Sequence, residues 1–362
     1  MLKLSYSAKS TEQKAAEVLQ NLLQEVPSLE LQRLQVGSNG NGKEPGVDLL
    51  LNVSVAGESR LLVGKVKLNG QPRYVRDAIY PLRNYIDHLG KPATPVIIAP
   101  YLSPSSRELC RENGISFLDF EGNAHLAFNT VYIDRSVAEK PSVERRELKS
   151  IFTPKSARIL RVLLRDPRLT WRVTELAMAA GVSLGHVSNV RTALRDREWA
   201  EVVPEGLRLK SPNALLDAWK SVYEPPVSQS LRFYTTLHGA EFDHRARAAF
   251  AALPQDSRAT LASYSAAHWI APYARTGTQL FYADARAVKT LERELKLSSI
   301  AKGENVVISV PKDEGVFLDA FEPAPGMRVT SPLQTYLDLA KSGERGEEAA
   351  EHLRHLRLTW PS

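Results

Sequence analysis

The stretch "VTELAMAAGVSLGHVSNVRTALRD", residues 173–196, has the pattern of two helices joined by a tight turn. Apolar residues recur at helical spacing on both sides of Gly181-Val182-Ser183, and a glycine followed by a serine is typical of a helix end and a new helix start. The stretch therefore predicts helices over 173–180 and 184–197, with Ser183 capping the second. The positions expected to face inward are Leu176, Ala177, Ala180, Val182, Val187, Val190 and Leu194.

The flanking sequence extends this pattern to a complete small domain. Residues 152–164 predict a helix with apolar residues on one face and basic residues on the opposite face, and Asp166-Pro167 ends it. Residues 199–203 and 206–210 predict a short hairpin. Three helices followed by a hairpin resemble the winged helix-turn-helix, in which the last helix enters the major groove of DNA. We expect this domain over residues 145–222.

The outer face of the helix at 184–197 indicates what that domain binds. It is polar and small near its N-terminus, where free N–H groups and the helix dipole favour phosphate, and basic further on. Residues 144–210 hold 14 Lys/Arg and 8 Asp/Glu, so this segment carries the whole formal charge of +6. The alternative is a winged helix that contacts only protein. We expect double-stranded operator DNA to be bound by Ser183, His186, Ser188, Asn189, Arg191, Thr192 and Arg195 of the helix and by Arg208 and Lys210 of the hairpin.

The N-terminal region alternates helix and strand patterns in the order α-β-β-β-α-β-α-β-β. One sheet with helices on its faces satisfies this order, so we expect an α/β domain over residues 1–138 and an α/β multidomain chain. A turn is expected at 37–42, and a linker at 139–142. The expected helices lie at 10–25 (capped by Ser10), 74–89 (interrupted at Pro81) and 103–113, and the strands at 29–36, 46–55, 61–68, 95–100, 115–119 and 124–133.

Asp48 on one strand and Lys65-Val66-Lys67 on the next resemble the restriction-endonuclease-like fold of the PD-(D/E)xK superfamily. Asp48 and Lys67 match that motif's first acid and its lysine, but Lys65 replaces the second acid. A lysine there repels the metal ion that two carboxylates would share. We expect a degenerate site with no catalytic residue, metal or cofactor; an active metal-dependent nuclease and an unrelated hairpin are the alternatives.

Further residues of this region extend the comparison. Gln71 and Tyr74 are similar to residues of the helix that follows the motif in some members. Lys65, Lys67, Arg73 and Arg76 are a second candidate surface for phosphate.

The C-terminal region, expected as a mixed α/β domain over 228–362, carries a second resemblance. The pattern Ser-Pro-x-Gln-x-Tyr-Leu-Asp-Leu at 331–339 and the helix start at 346–350 are similar to AbiEi-type antitoxins of bacterial type IV toxin–antitoxin systems. The resemblance implies a winged helix that represses its own operon and a C-terminal domain that counters a nucleotidyltransferase-like toxin. The alternative is a protein-interaction adaptor. Four acids of this region are expected to be solvated helix charges: Asp338, Glu344, Glu347 and Glu348.

Composition sets the remaining bounds. The chain has 362 residues, 43% hydrophobic and 24% charged, which is ordinary for a globular protein. Cys110 stands alone, so no intrachain disulfide can form, and a buried core thiol is expected. The N-terminus lacks the pattern of a signal peptide, and no apolar run reaches the roughly 20 residues of a membrane helix, so a cytoplasmic protein is expected. A homodimer is expected, because two recognition helices read two half-sites.

Overall fold

The computed structural model describes residues 7–37, 47–138, 140–273 and 276–360. The expected turn at 37–42, the first residue of the expected strand at 46–55 and Glu139 of the expected linker lie wholly or partly outside these ranges. Contacts divide the chain into a first unit, Met1–Arg146 with Leu194–Glu198, and a second unit, Glu147–Ala193 with Trp199–Ser362. The described part is mixed α/β, with 13 α-helices, two seven-stranded sheets and one two-stranded sheet. None of its helices is long and apolar enough to span a membrane.

The first unit is built on one seven-stranded sheet whose strands follow sequence order from β1 to β7. The β3–β4 and β4–β5 pairs are parallel, and the other neighbours are antiparallel. The strands are β1 (Leu29–Val36), β2 (Leu49–Val55), β3 (Glu58–Val66), β4 (Ala93–Ala99), β5 (Ser116–Asp119), β6 (Ala124–Phe128) and β7 (Val131–Arg135), and the helices are α1 (Ala8–Gln24), α2 (Pro72–His88) and α3 (Pro104–Glu112).

Side chains of β4 point alternately into two cores, because successive residues of a strand face opposite sides. Val96 and Ile98 belong to the core that α1 covers, and Ile97 belongs to the core that α2 and α3 cover. Cys110 of α3 is fully buried in the second core, and burial raises the pKa of its thiol to about 12. The expected layering of one sheet between helices is therefore observed.

Three details differ from the sequence-based expectation. The hydroxyl of Ser7, not that of Ser10, caps α1 and accepts from the Ser10 N–H at 3.2 Å. Helix α2 continues through Pro81 without a break. The single strand expected at 124–133 is the β6–β7 hairpin, which turns at Asn129 with φ of 47°, a conformation that asparagine tolerates.

The second unit contains a mixed sheet in the order β13-β10-β14-β12-β11-β16-β15. Its strands are β10 (Val227–Tyr234), β11 (Ala259–Leu261), β12 (Gln279–Ala283), β13 (Ser298–Ser299), β14 (Val306–Pro311), β15 (Phe321–Ala324) and β16 (Met327–Val329). The helices that accompany them are α8 (Pro212–Val222), α9 (Gly239–Ala251), α10 (Ser263–Ile270), α11 (Ala285–Glu294), α12 (Pro332–Leu339), α13 (Glu344–Arg357) and the 3-10 helix Glu314–Phe317.

The elements expected for the helix-turn-helix segment are present at the expected places. They are α5 (Pro154–Arg165), α6 (Val173–Ala180), α7 (Leu184–Asp196), β8 (Ala200–Val203) and β9 (Gly206–Leu209), preceded by α4 (Ser142–Ile151). Gly181 ends α6 with φ of 62°, the left-handed conformation that glycine adopts without strain. Of the seven positions expected to face inward, only Val182 is half-buried rather than buried.

The hairpin is joined to the loop after α5 at one point. Trp171 and Leu207 exchange two backbone hydrogen bonds of 2.9 Å. Gly206 next to this bridge has φ of 149°, and a Cβ built there would lie 2.3 Å from the Trp171 carbonyl oxygen. Only glycine fits this approach.

We predict that Gly206→Ala lowers the free energy of unfolding of the second unit by about 1–3 kcal/mol, because the new methyl group forces the bridge apart. Chemical denaturation measures this change. Gly185→Ala is the matched control, because a Cβ there meets no atom within 4 Å and the position is helical. An equal loss in both variants would contradict the steric account.

Candidate nucleic-acid interface

The N-terminus of α7 borders a shallow cavity with a volume of about 430 Å³. The Ser183 hydroxyl accepts from the His186 N–H at 3.4 Å and lies 3.1 Å from His186 Nδ1, so Ser183 caps the helix as expected. Lys155 of α5 lines the same concavity. A helix N-terminus next to an ammonium group is a favourable place for a phosphate.

The outer face of α7 consists of Ser183, Gly185, His186, Ser188, Asn189, Arg191, Thr192 and Arg195. All of these are exposed except His186, Arg191 and Arg195, which are half-buried. Two apolar side chains adjoin this face: Met178 is 80% exposed and Leu184 is 52% exposed. The sequence analysis did not predict either residue. The available signal was that each is apolar but does not share the helical spacing of the buried residues of α6 and α7. Apolar contact at this place suits a thymine methyl group.

The cations expected to contact DNA differ in what surrounds them. Arg208 donates to Glu201 at 3.0 Å, its direct partner across the β8–β9 hairpin. Arg195 lies 3.9 Å from the Asp196 carboxylate. Arg191 and Lys210 form no ion pair with any residue that the structure describes. Arg191 therefore has the guanidinium most open to a new anionic partner.

The polar residues of α2 in the first unit bind carboxylates. Arg73 Nη1 lies 3.1 Å from Asp196 Oδ1, and the Tyr74 hydroxyl donates to Asp196 Oδ2 at 3.3 Å. Arg76 pairs with Glu198 through hydrogen bonds of 2.8 and 2.9 Å. The expected phosphate-binding role of Arg73 and Arg76 would require these pairs to open.

The structure brings together the residues that resemble a nuclease motif. Lys65 Nζ lies 3.0 Å from Asp48 Oδ1, and the Val66 N–H donates to Asp48 Oδ2 at 2.7 Å. Burial, followed by the charge of Lys65, lowers the pKa of Lys67. Burial, followed by the charge of Asp48, raises the pKa of Glu12. The ammonium of Lys65 is therefore paired with Asp48, the one carboxylate of the motif that this sequence retains. The described ranges contain no group of three His, Cys, Asp or Glu side chains that could hold a metal ion.

We predict that Lys65→Glu creates a divalent-cation site. Without metal the variant is less stable than the wild type, because Asp48, Glu12 and the new carboxylate repel one another. Mn²⁺ at roughly ten to one hundred times its Kd then restores about 1–3 kcal/mol of stability. Thermal unfolding with and without Mn²⁺ measures the shift. Lys65→Gln removes the same ammonium without adding an acid, and an equal Mn²⁺ shift in that control would contradict the prediction.

The motif at 331–339 supplies a buried polar network that the sequence did not reveal. Asp338, expected as a solvated charge, is only 6% exposed, because α12 packs its whole length into the second unit. Asp338 Oδ1 accepts from the hydroxyls of Tyr223 at 2.6 Å and Tyr282 at 3.0 Å and from Gln334 Nε2 at 2.9 Å. The other three acids, Glu344, Glu347 and Glu348, are exposed as expected.

Gln334 extends the network to α5. Its Oε1 accepts from Arg161 Nη2 at 2.5 Å, and its Nε2 also donates to the Tyr223 hydroxyl at 2.7 Å. Arg161 is 4% exposed, and its guanidinium lies 5.1 Å from the centre of the Trp219 ring. The signal in the sequence was Gln334 and Asp338 at helical spacing between apolar neighbours. Burial raises the pKa of Asp338 to about 6 and lowers the pKa of Arg161.

We predict that Asp338 makes stability fall as pH rises. The carboxyl has a pKa of about 6 in the native state and 3.8 in the unfolded chain, so the native state binds the proton more tightly. Low pH therefore stabilises the native state relative to the unfolded chain. Relative to Asp338→Asn, wild-type unfolding free energy should decrease by about 2 kcal/mol between about pH 4 and 7. Denaturation at several pH values measures this difference. A difference between the two proteins that stays constant over this range would refute the assignment.

The C-terminal part of the chain is similar to a known protein family. Residues 208–358 match the family model described as "Transcriptional regulator, AbiEi antitoxin, Type IV TA system". Over that region the chain is similar to this family of transcriptional regulators, and the resemblance carried by the motif at 331–339 is confirmed. The match includes α12 and its network partners Tyr223 and Tyr282, whereas Arg161 of α5 and the α7 face lie before it.

No curated protein sequence matches the chain. A solved structure titled "Structure of EndoMS in apo form" is similar at 15% identity over 33% of this chain, which spans about half (48%) of the length of that chain. Its TM-score is 0.21, too low for a shared fold to be argued.

Proposed function

We propose that this chain is a DNA-binding transcriptional regulator of the antitoxin class, in which residues 145–222 form a winged helix-turn-helix domain and α7 reads the operator. The observation that carries the proposal is the α7 outer face. It begins at a capped helix N-terminus beside Lys155, continues through exposed Ser188 and Asn189, and ends in Arg191. The family match of residues 208–358 to transcriptional regulators supports the same function independently.

The proposed roles follow from the chemistry of each side chain. Phosphate binds at the start of α7, close to Ser183, His186 and Lys155. Asn189 suits adenine, and Arg191 suits guanine or a phosphate. Lys210 at the end of the hairpin contacts the neighbouring backbone. Arg195 and Arg208 contribute less, because carboxylates of Asp196 and Glu201 already attract them.

Autorepression and toxin neutralisation are the finer parts of the proposal. The regulator binds the DNA upstream of its own gene as a homodimer, and its C-terminal region counters a nucleotidyltransferase-like toxin encoded nearby. The N-terminal unit holds a degenerate nuclease-like site, in which Lys65 replaces the metal ion at Asp48. We therefore expect no Mg²⁺-dependent cleavage of DNA. Cleavage that Asp48→Ala abolishes would overturn this part of the proposal.

We predict that Arg191→Ala weakens operator binding by about 1–3 kcal/mol, because Arg191 is the least engaged guanidinium on the α7 face. Fluorescence anisotropy with the upstream DNA and with scrambled DNA, over a series of salt concentrations, measures this change. Arg195→Ala and Arg208→Ala should have smaller effects.

Arg286→Ala is the matched control, because Arg286 is an exposed arginine on α11 of the same unit. Weak, salt-insensitive binding that is equal on both DNAs would contradict the proposed function and favour a protein-interaction adaptor. Copurification of a nucleotidyltransferase-like protein with the tagged regulator tests the toxin partner separately.

A further inference from the structure

A second cavity of about 320 Å³ lies within the second unit, and none of the described residues that line it belongs to α7. Its wall is largely apolar. Phe152 and Trp219 stack with ring centroids 5.6 Å apart and an angle of 15° between their planes. Pro154, Pro225 and Val316 complete the apolar surface. This volume and this lining are those of a site for a small flat molecule.

Arg161 gives this cavity, here named the Arg161 cavity, a buried positive charge. The residue is 4% exposed and lines the cavity, and its Nε has no hydrogen-bond partner in the described part of the chain. Its Nη2 reaches only the neutral oxygen of Gln334, and Asp338 lies beyond that amide. A buried charge without a direct ion-pair partner is unfavourable until an anion arrives.

No described carboxylate that lines the cavity forms a direct ion pair with Arg161, although the charges of Asp338 and Asp313 attract it from a distance. Asp313 is held by two hydrogen bonds of 2.8 Å from Arg158, and Glu224 pairs with Lys149 at 2.9 Å. Lys312 is exposed at the rim. Two cations, Arg161 at the base and Lys312 at the rim, therefore have no carboxylate bound to them within the described residues.

We propose that the Arg161 cavity binds a small planar aromatic carboxylate. The carboxylate is attracted by the buried guanidinium of Arg161, which lines the cavity, and by the ammonium of Lys312 at the rim. The ring lies against the apolar wall formed by Phe152, Pro154 and Pro225. The buried positive charge makes the cavity selective for a carboxylate, because charge-assisted interactions are strong where water is excluded. The apolar wall makes it selective for a flat ring.

Isothermal titration calorimetry on the full chain tests the proposal. Benzoate and indole-3-carboxylate are the probes; benzyl alcohol supplies the ring without the charge, and acetate supplies the charge without the ring. We expect saturable binding of at least one probe with a stoichiometry of one, and binding of both controls weaker by about tenfold or more. The proposal is overturned if neither probe shows saturable binding at millimolar concentration, or if acetate binds as well as the probes do.

Variants place the binding in this cavity. Arg161→Gln should weaken the probe by about tenfold or more, since it removes the only buried cation of the cavity. Because Arg161→Gln also disturbs a buried network, Lys312→Ala provides a second test at the exposed rim and should weaken the probe about two- to fivefold. Lys289→Ala, an exposed lysine on α11, is the matched control and should bind like the wild type. Equal affinity in all three variants overturns the assignment.

A consequence for regulation rests on the proposed function. Arg161 belongs to α5, which packs against α6 of the helix-turn-helix segment, so occupation of the cavity changes the affinity for operator DNA. The anisotropy assay repeated with saturating probe measures this change. Binding to the cavity is measured without DNA, so a failure of the DNA-binding proposal and a failure of this one are distinguishable.

Discussion

A guanidinium buried away from water must find electron-rich partners, and in this protein Arg161 finds them in the ring of Trp219 and the amide oxygen of Gln334. Through Gln334 the network reaches Asp338, which also accepts from Tyr223 and Tyr282. It links α5, α8, β12 and α12 within the second unit. Because removing one member of a buried polar network leaves the others unsatisfied, this network constrains the relative positions of those elements.

This constraint explains what the motif at 331–339 does in the molecule. Ser331 caps α12, since its hydroxyl accepts from the Gln334 N–H at 3.2 Å, and Gln334 and Asp338 then lie one helical turn apart on the same face. The motif is therefore a structural connection between the family-matched region and the helix-turn-helix segment. Helix α5 contributes Lys155 to the proposed phosphate site at the start of α7 and Arg161 to the proposed ligand cavity, and the motif contacts α5 through the Arg161–Gln334 hydrogen bond.

Sequence reasoning succeeded where local pattern decides structure, and failed where tertiary packing does. Helical spacing placed α6 and α7 within one residue of their observed bounds, because a glycine turn and a capping serine separate them. Asp338 was misassigned because an acid on a helix is normally solvated, and no local pattern shows that three donors surround it. The pairing of Arg208 with Glu201 depends on hairpin register, which fixes the two side chains opposite each other.

Hydrogen exchange on the full chain tests most directly whether the Arg161–Gln334–Asp338 network holds the second unit together. The wild type is compared with Gln334→Met, which keeps the side-chain length and removes every hydrogen bond of the Gln334 side-chain amide. The account predicts that exchange protection falls together in α5, α8 and α12, because each contributes a partner to the network. Loss of protection confined to α12, with α5 and α8 unchanged, would contradict it.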